Sequence, residues 1–319
     1  MPGEKTHNLI LVNHPDGQGR QDFYEIASSI EALEPRIEVH IAQHDLAPEA
    51  NGLAADVWTR PTLAVAFRSP RVFRPKRGVL YAGFPFNKFV QLKKFHDAGI
   101  PVPPTLVYVF GRALERGFWG DYVIMKPSHI GLMSRGRHIH LMRTERVAEL
   151  AERLFPATHP ARSAPILVQR FIDTGIHPAN YRVLCLFGEP LLCMEYKLKE
   201  PRPSLDAPDE ALLNTPIASN TDGLYHHALL APPEILDFAR RVAKVMPEIP
   251  LQGIDIIRED GTGRLFVLEN NPGGNTWHFS SKISEDGRKE ITREQRIAQF
   301  GAWDVAARVL AERTLKEAR

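Results

Sequence analysis

The chain has 319 residues, 43% hydrophobic and 24% charged, with 40 basic against 38 acidic side chains. That length is enough to bury a core without staples and to form two or three subdomains. A formal net charge of +2 leaves no electrostatic footprint for nucleic acid. Two cysteines, Cys185 and Cys193, are too few for a disulfide framework or a zinc cluster. They read as small buried hydrophobes in a reducing compartment. The N-terminal apolar run is four residues long, too short for a signal peptide, and no stretch approaches a membrane span. The expected location is cytoplasmic.

Residues 8–13 (NLILVN) read as a buried strand closed by the turn cluster HPDGQG. A helical stretch from roughly Arg20 to Leu33 follows, then the alternating RIEVHIA and two short apolar runs, TLAVAF (62–67) and GVLYAG (78–83). Residues 1–82 are therefore expected to form a small α/β domain with a parallel sheet. In NKFVQLKKFHDAG (87–99), Phe89, Leu92 and Phe95 mark an amphipathic helix, with Asn87 as N-cap and Gly99 at C′. IPVPP ends it. TLVYVF, a helical stretch around 111–118 and the strand YVIMKP come next. SHIGLMSRGR joins YVIMKP to HIHLM as a hairpin with a ten-residue Gly/Ser loop, and a charged helix runs from Thr144 to Leu154.

ILVQRFI (166–172) is a strand, and NYRVLCLFGEPLLCMEYK is two strands around a turn at Gly188-Glu189. Residues 199–233 are Pro-rich with little periodicity, the mark of a long functional or disordered loop. A helix around 234–246, a hairpin and an amphipathic helix over 294–317 complete the chain; the last is either a packing helix or the face of a homodimer.

The hairpin LQGIDIIREDGTGRLFVLENN carries the clearest chemistry. A turn centred on Thr262 pairs Arg264 with Asp260, Val267 with Ile257 and Glu269 with Asp255. Cross-strand partners have Cβ atoms about 4.5–5.5 Å apart, and Asn271 shares their face by alternation. Two carboxylates that close repel unless a cation joins them or one binds a proton. An oxygen-only trio of Asp255, Glu269 and Asn271 suits Mg²⁺, which takes a few carboxylates and completes its shell with water and phosphate oxygens.

Lys126 ends an apolar strand at the mouth of the Gly/Ser loop 128–137. There it either reaches phosphate oxygens or snorkels beside a surface hairpin. The loop is not a Walker A motif, because Arg137-His138 stand where Lys-Ser/Thr would. Arg182, inside an otherwise apolar strand, needs an anionic partner: a structural carboxylate, or a phosphoryl or acyl group of a substrate. Neither His138/His140 nor His226/His227 has the companions of a zinc site, and no G-x-S-x-G is present. His226 and His227 are open to substrate contact.

Taken in order, NKFVQLKKFHDAGIPVPPT, YVIMKPSHIGLMSRGR, ILVQRFI, NYRVLCLFGEPLL and GIDIIREDGTGRLFVLENNPGGN resemble the ATP-grasp superfamily, the carboxylate–amine ligases of the glutathione synthetase and D-alanine–D-alanine ligase type. The resemblance implies an α/β (α+β) fold: an N-terminal α/β domain (1–82), a central lobe with the lid (83–165) and a C-terminal lobe with the magnesium site (166–319), antiparallel sheets of the two lobes gripping ATP. It implies that Lys88 and Lys126 hold the α- and β-phosphates. The loop Ser128–Arg137, with Ser128, Gly131, Ser134 and Gly136, would cover the triphosphate. Gln169, Arg170, Ile172 and Asp173 would bind the nucleotide, the Arg170 carbonyl and Ile172 N–H reading adenine. Many members have Glu at the Arg170 position.

The resemblance also places Asp255, Glu269 and Asn271 on the family's Mg²⁺ ligands, with Mn²⁺ as the alternative ion, and gives catalytic roles to Arg182 and Lys197. Gly253 stands where D-alanine ligases have a catalytic arginine, and Lys197 where glutathione synthetases have a second one. Asn214 and Asn220 are candidates for the family's loop asparagine; His226, Gly273, Asn275, His278 and Ser280 are further substrate candidates. The activity implied is ATP-dependent joining of a small-molecule or peptide carboxylate to an amine or thiol through an acyl phosphate. A small-molecule kinase and a nucleotide-binding regulatory protein are the alternatives on the same fold.

Overall fold

The computed structural model describes residues 4–128, 138–217, 223–272 and 276–319. In the first unit, β1 (His7–Asn13), α1 (Arg20–Leu33), β2 (Ile37–Gln43), β3 (Thr62–Ala66) and β4 (Val79–Ala82) give a four-stranded sheet ordered β2-β1-β3-β4. Every pairing is parallel, as the apolar runs lead one to expect of strands buried on both faces.

The second unit holds α2 (Lys88–Asp97), β5 (Thr105–Val107), α3 (Arg116–Trp119), β6 (Tyr122–Pro127), β7 (His140–Arg143), α4 (Val147–Leu154) and β8 (Ile166–Arg170). Asn87 caps α2 by accepting from Phe89 N (2.9 Å) and Val90 N (3.3 Å), and Gly99 takes the left-handed conformation that ends it. The sheet order β5-β8-β6-β7, antiparallel throughout, differs from the expected division of the chain. Residues 166–170 were expected in the C-terminal lobe, but β8 pairs with β5 and β6 and completes the central sheet.

The third unit comprises β9 (Ala179–Leu186), β10 (Glu189–Leu198), α5 (Asp209–Leu213), β11 (Tyr225–Leu229), α6 (Pro233–Ala243), β12 (Leu251–Arg258), β13 (Leu265–Asn271), α7 (Gly287–Glu290), α8 (Arg293–Ala298) and α9 (Ala302–Glu317). Its antiparallel sheet is ordered β11-β10-β9-β12-β13. The β9–β10 turn sits one residue earlier than expected, with Phe187 and Gly188 at φ 48° and 92°. The segment 199–233 also holds more structure than expected, namely α5 and β11.

Strand alternation divides the faces of this sheet. Val183, Cys185, Cys193, Ile254, Ile256 and Val267 pack under α6. Leu184, Leu192, Met194 and Tyr196 turn the other way and share a core with Trp277, Phe279, α9 and the Leu9 and Phe23 of the first unit. The C-terminal amphipathic segment is two helices, broken where Gly301 adopts φ 63°. The apolar side of α9, including Trp303, Ala306, Ala307 and Leu310, is buried against this core. It is a packing helix, and its apolar side is not available as a dimer face.

Two close approaches lock the units together. At Gly83 an added Cβ would lie 2.2 Å from Phe67 O and 2.5 Å from Pro272 O, so the chain leaving β13 runs directly against the first unit. Asp22, buried in the first turn of α1, accepts from Trp277 Nε1 (2.6 Å), from Ser280 Oγ and from Arg293 Nε (2.9 Å). Because both atoms facing Gly83 are backbone, neither moves cheaply. Gly83→Ala is expected to cost about 3 kcal/mol of stability, read as a lower urea midpoint at unchanged slope.

Candidate active site

A cleft open to solvent lies between the central and C-terminal sheets. Its walls come from β6, β8, β9, β12, β13 and the first turn of α2. Asp255 and Glu269 oppose each other across β12–β13, as expected, while the pairs nearer the turn do not follow the expected register. Ile256, not Ile257, faces Val267, and Glu259 N donates to Arg264 O at 2.8 Å, so the turn is centred half a residue earlier. A β-bulge between Asp255 and Ile256 restores the register at Glu269. It also places the consecutive Leu268 and Glu269 both on the cleft wall.

Each carboxylate has its own cation. Arg182, opposite Asp255 on β9, donates Nε to Oδ1 at 2.7 Å and Nη2 to Oδ2 at 2.6 Å, a bidentate fork. Lys88, the first residue of α2, meets Glu269 Oε2 at 2.5 Å. Asn271 Nδ2 lies 3.2 Å from Asp255 Oδ2 and 3.4 Å from Glu269 Oε1, so the trio converges. Turned about its Cβ–Cγ bond, the same amide would offer its oxygen instead. The donor set therefore fits a hard divalent cation. Among the described residues no group of three or more His, Cys, Asp or Glu is placed to hold a metal ion.

Burial and charge shape the site's protonation. Burial pushes the Asp255 carboxyl upward while the Arg182 fork pulls against it. For Glu269 burial acts in the same sense but is outweighed by Lys88, then Lys126 and Arg182, which hold its carboxyl down at about 2. Lys88 is raised by Glu269. Lys126 lies deeper, its Nζ donating to Gln169 Oε1 at 2.9 Å. Burial, with Lys88 adding repulsion, brings it down to about 8.

The hinge between the sheets supplies backbone groups. Arg170 N donates to Pro104 O at 2.8 Å, and its guanidinium lies beside Gly120, Nε 3.6 Å from where a Cβ would stand. Ile172 lines the cleft, and among the described residues its N–H makes no hydrogen bond to the fold. Gln169 is buried and donates Nε2 to Thr105 Oγ1 at 2.9 Å. Asp173 does not line the cleft: its carboxylate accepts from Gly175 N (2.9 Å) and from Arg202 Nη2 (2.8 Å). Ser128 is buried and its hydroxyl has no partner among the described residues. Gly131, Ser134, Gly136, Asn220, Gly273 and Asn275 lie outside the described residues.

Strand parity corrects two expectations. Lys197 pairs across with His226, and Lys197 lines a separate groove on the other face of the sheet with Tyr181 and Glu195. Both point away from Arg182; the inward positions belong to Tyr196 and His227, whose rings meet edge-on at 4.9 Å. Tyr196 also lies under the Arg182 guanidinium, 5.9 Å from ring centroid to Cζ. Asn214 is spent at the end of α5, donating to Glu210 O at 2.8 Å. Ser280 accepts from Gly19 N at 2.7 Å and ties the C-terminal lobe to α1, which gives it a joining role instead of a substrate contact. No side chain fits at Gly253, because a Cβ there would lie 2.2 Å from Thr276 Cγ2. His278 is buried next to this region. Tyr225 and Asn180, both cleft residues, were missed; each lies at the inward parity of its strand, the one signal the sequence offered.

The lowered Lys126 pKa sets a stability window. Below pH 8 both folded and unfolded chains hold the proton and the full cost of the buried charge is present. Between about pH 8 and the ordinary lysine value of 10.5 only the unfolded chain holds it, so this group's contribution to stability rises with pH. Lys126→Met is expected to be more stable than the native chain at pH 7, by at most about 3 kcal/mol, the gap closing as the pH is raised to 10. Urea unfolding of both chains across that range is the measurement.

No family model matches the sequence, and no curated protein matches it. Three solved structures are similar in fold over most of their length. D-cycloserine synthetase DcsG is 17% identical, with 96% of this chain and 99% of that chain covered at a TM-score of 0.51. The ATP-grasp ligase PsnB complexed with a minimal precursor is 15% identical, with 92% and 99% covered at 0.50. The macrocyclase MdnC bound with precursor peptide MdnA from Microcystis aeruginosa is 12% identical, with 96% and 99% covered at 0.50. Identities this low carry the architecture and no more. The likeness spans the whole of this chain's arrangement, a parallel α/β unit followed by two antiparallel sheets, and the chain has the ATP-grasp fold.

Proposed function

We propose that the chain is an ATP-dependent ligase that joins a carboxylate to an amine or thiol through an acyl phosphate. The observation that carries this reading is the convergence of Asp255, Glu269 and Asn271 beneath Lys88, Lys126 and Arg182, two carboxylates and three cations in one cleft. Lys126 and Lys88 bind phosphate oxygens, and ATP raises the affinity of Lys126 for its proton because phosphate replaces a neutral amide as its partner. Asp255, Glu269 and Asn271 hold Mg²⁺, which when bound offsets the charge of the transferring group.

The chain's own residues do the rest. The Ile172 N–H and Arg170 carbonyl orient the base by backbone contacts, so arginine at this position is no obstacle. Arg182 neutralises charge on the oxygen atoms around the transferred phosphorus; its Asp255 fork holds it rigid for that purpose. The apolar lining of Ile124, Ile139, Ile217 and Leu268 excludes water, which would otherwise hydrolyse an acyl phosphate.

The test is ADP release from Mg-ATP across a panel of amino acids, small peptides and dicarboxylates. Release that requires an acid and an amine together supports ligation. Release driven by a polyol alone points to a kinase, and nucleotide binding without release on any panel member points to a regulatory protein. Glu269→Gln removes one of the charges that hold the cation and is expected to lower turnover at least 100-fold while the circular dichroism spectrum stays native. Near-normal turnover in that variant would overturn the metal assignment.

A further inference from the structure

The parallel strands of the first unit end at a cluster of side chains that the cleft does not use. In the sheet order β2-β1-β3-β4 the chain leaves β1 for β2 on one side and returns to β3 on the other. The crevice outside the carboxyl ends of the strands at such a switch point is where open parallel sheets bind ligands. His14 follows β1, His44 follows β2, and Arg68 comes two residues after β3. None of the three lines the cleft.

These side chains meet one another. The His14 and His44 rings stack with centroids 3.9 Å apart, and the residues are 9% and 5% exposed. Arg68 Nη1 donates to His14 Nδ1 at 3.4 Å, so the proton of the neutral His14 ring is on Nε2. Burial and then Arg68 hold the His14 pKa down at about 4, and burial lowers that of His44. His44 Nδ1 is buried and has no partner among the described residues. A Cβ at Gly17 would lie 3.1 Å from Arg68 Cδ and 3.6 Å from its Nη1, so the arginine runs along the HPDGQG turn. The turn's own N–H groups are committed. Gly17 and Gln18 donate to His14 O at 2.8 and 2.9 Å, and Gly19 donates to Ser280 Oγ. The donors left at this edge are side chains.

The charge here is positive and largely unanswered. RSPRVFRPKR (68–77) places five cations in ten residues and no acid. Lys76 pairs with Glu49, and Arg74 donates to Pro70 O and Phe73 O. Among the described residues Arg68 bonds only to His14, and Arg71 makes no hydrogen bond or ion pair. Arg71 nevertheless stands close enough to act on both Arg68 and His44. Two acids face the cluster: Asp16, which Lys282 already meets at 2.9 Å, and the exposed Asp45. Burial disfavours the Arg68 charge, Asp16 offsets part of that, and Arg71 adds repulsion. An anion shared by the two guanidinium groups removes the repulsion. Each guanidinium offers a planar fork that matches phosphate oxygens. Two fixed charges and two imidazoles exceed what a lone carboxylate needs and suit a dianion with three oxygens. We propose that His14, His44, Arg68 and Arg71 form a site, separate from the cleft, for a phosphate monoester or inorganic phosphate. The site stands whether or not the ligase reading holds.

The test follows the melting temperature of the full chain at pH 7.5 and fixed ionic strength. The probes are inorganic phosphate and a mixture of phosphate monoesters (glycerol phosphate, hexose phosphates and phosphoserine), each ester matched by its parent alcohol. The expected result is a saturable rise with at least one phosphate probe and none with the alcohols. Arg68→Gln is expected to raise the half-saturating concentration ten-fold or more, and Arg71→Gln at least three-fold. Arg71 is exposed, so its variant keeps the test sound if Arg68→Gln does not fold. Lys126→Met, which alters the cleft alone, is expected to leave the half-saturating concentration within two-fold. Tighter binding of an ester than of inorganic phosphate assigns the site to a phosphorylated metabolite, and equal binding assigns it to free phosphate; either supports the site. No saturable rise with any phosphate probe, a rise unchanged in the folded arginine variants, or one lost in Lys126→Met would overturn it.

Discussion

Two carboxylates held side by side in a low-dielectric cleft set the terms for everything around them. Asp255 and Glu269 face each other because β12 and β13 pair there, and neither stays ionised unless a cation is placed against it. The two cations come from different units. Arg182 arrives on the neighbouring strand β9, and Lys88 arrives at the start of α2. The Lys88 contact also fixes where α2 begins. Asn87 caps the helix at that residue, so the helix N-terminus adds its own positive end toward Glu269. The charge pairs thus act as a register mark between the central unit and the C-terminal sheet.

This explains why the convergence of Asp255, Glu269 and Asn271 could be read from the sequence. The pattern there is local: alternation gave Asp255, Glu269 and Asn271 one face, whereas Lys88 was singled out by the resemblance alone, although the Asn87 cap that positions it is local too. The agreement at Asp255–Glu269 is partly fortuitous. The turn is centred half a residue earlier than a Gly-Thr-Gly turn suggests, and the bulge at Leu268 shifts the strand back. Bulges leave no composition signal in a run such as LFVLE, whereas their effect on which side chains line the cleft is large.

Where the sequence misled, the cause is parity or long range. Lys197 and His226 are cross-strand neighbours on the outer face, so an error of one residue moved both to the wrong side. β8 looked like the opening of the C-terminal lobe because it precedes that lobe in the chain; only its hydrogen bonds to β5 and β6 assign it to the central sheet. Ser280 looked like a substrate contact until its hydroxyl was found spanning Gly19 and Asp22, more than 250 residues earlier in the sequence.

The same distinction separates the cleft from the joint around Asp22. Side chains that meet ATP in the proposed reading are set by neighbouring strands, whereas those around Arg296 depend on contacts between α8, the 276–281 segment and α1. Asp22 is central to that joint: it binds Trp277, Ser280 and Arg293 together, and so fixes both the loop that carries His278 and the helix that carries Arg296. Gly253 belongs to the same joint, since Thr276 fills the space that a larger residue on β12 would need. An arginine supplied from this position of β12 is therefore sterically excluded. The joint around Asp22 is built from the packing of the first unit against the third, which no local pattern in the sequence encodes.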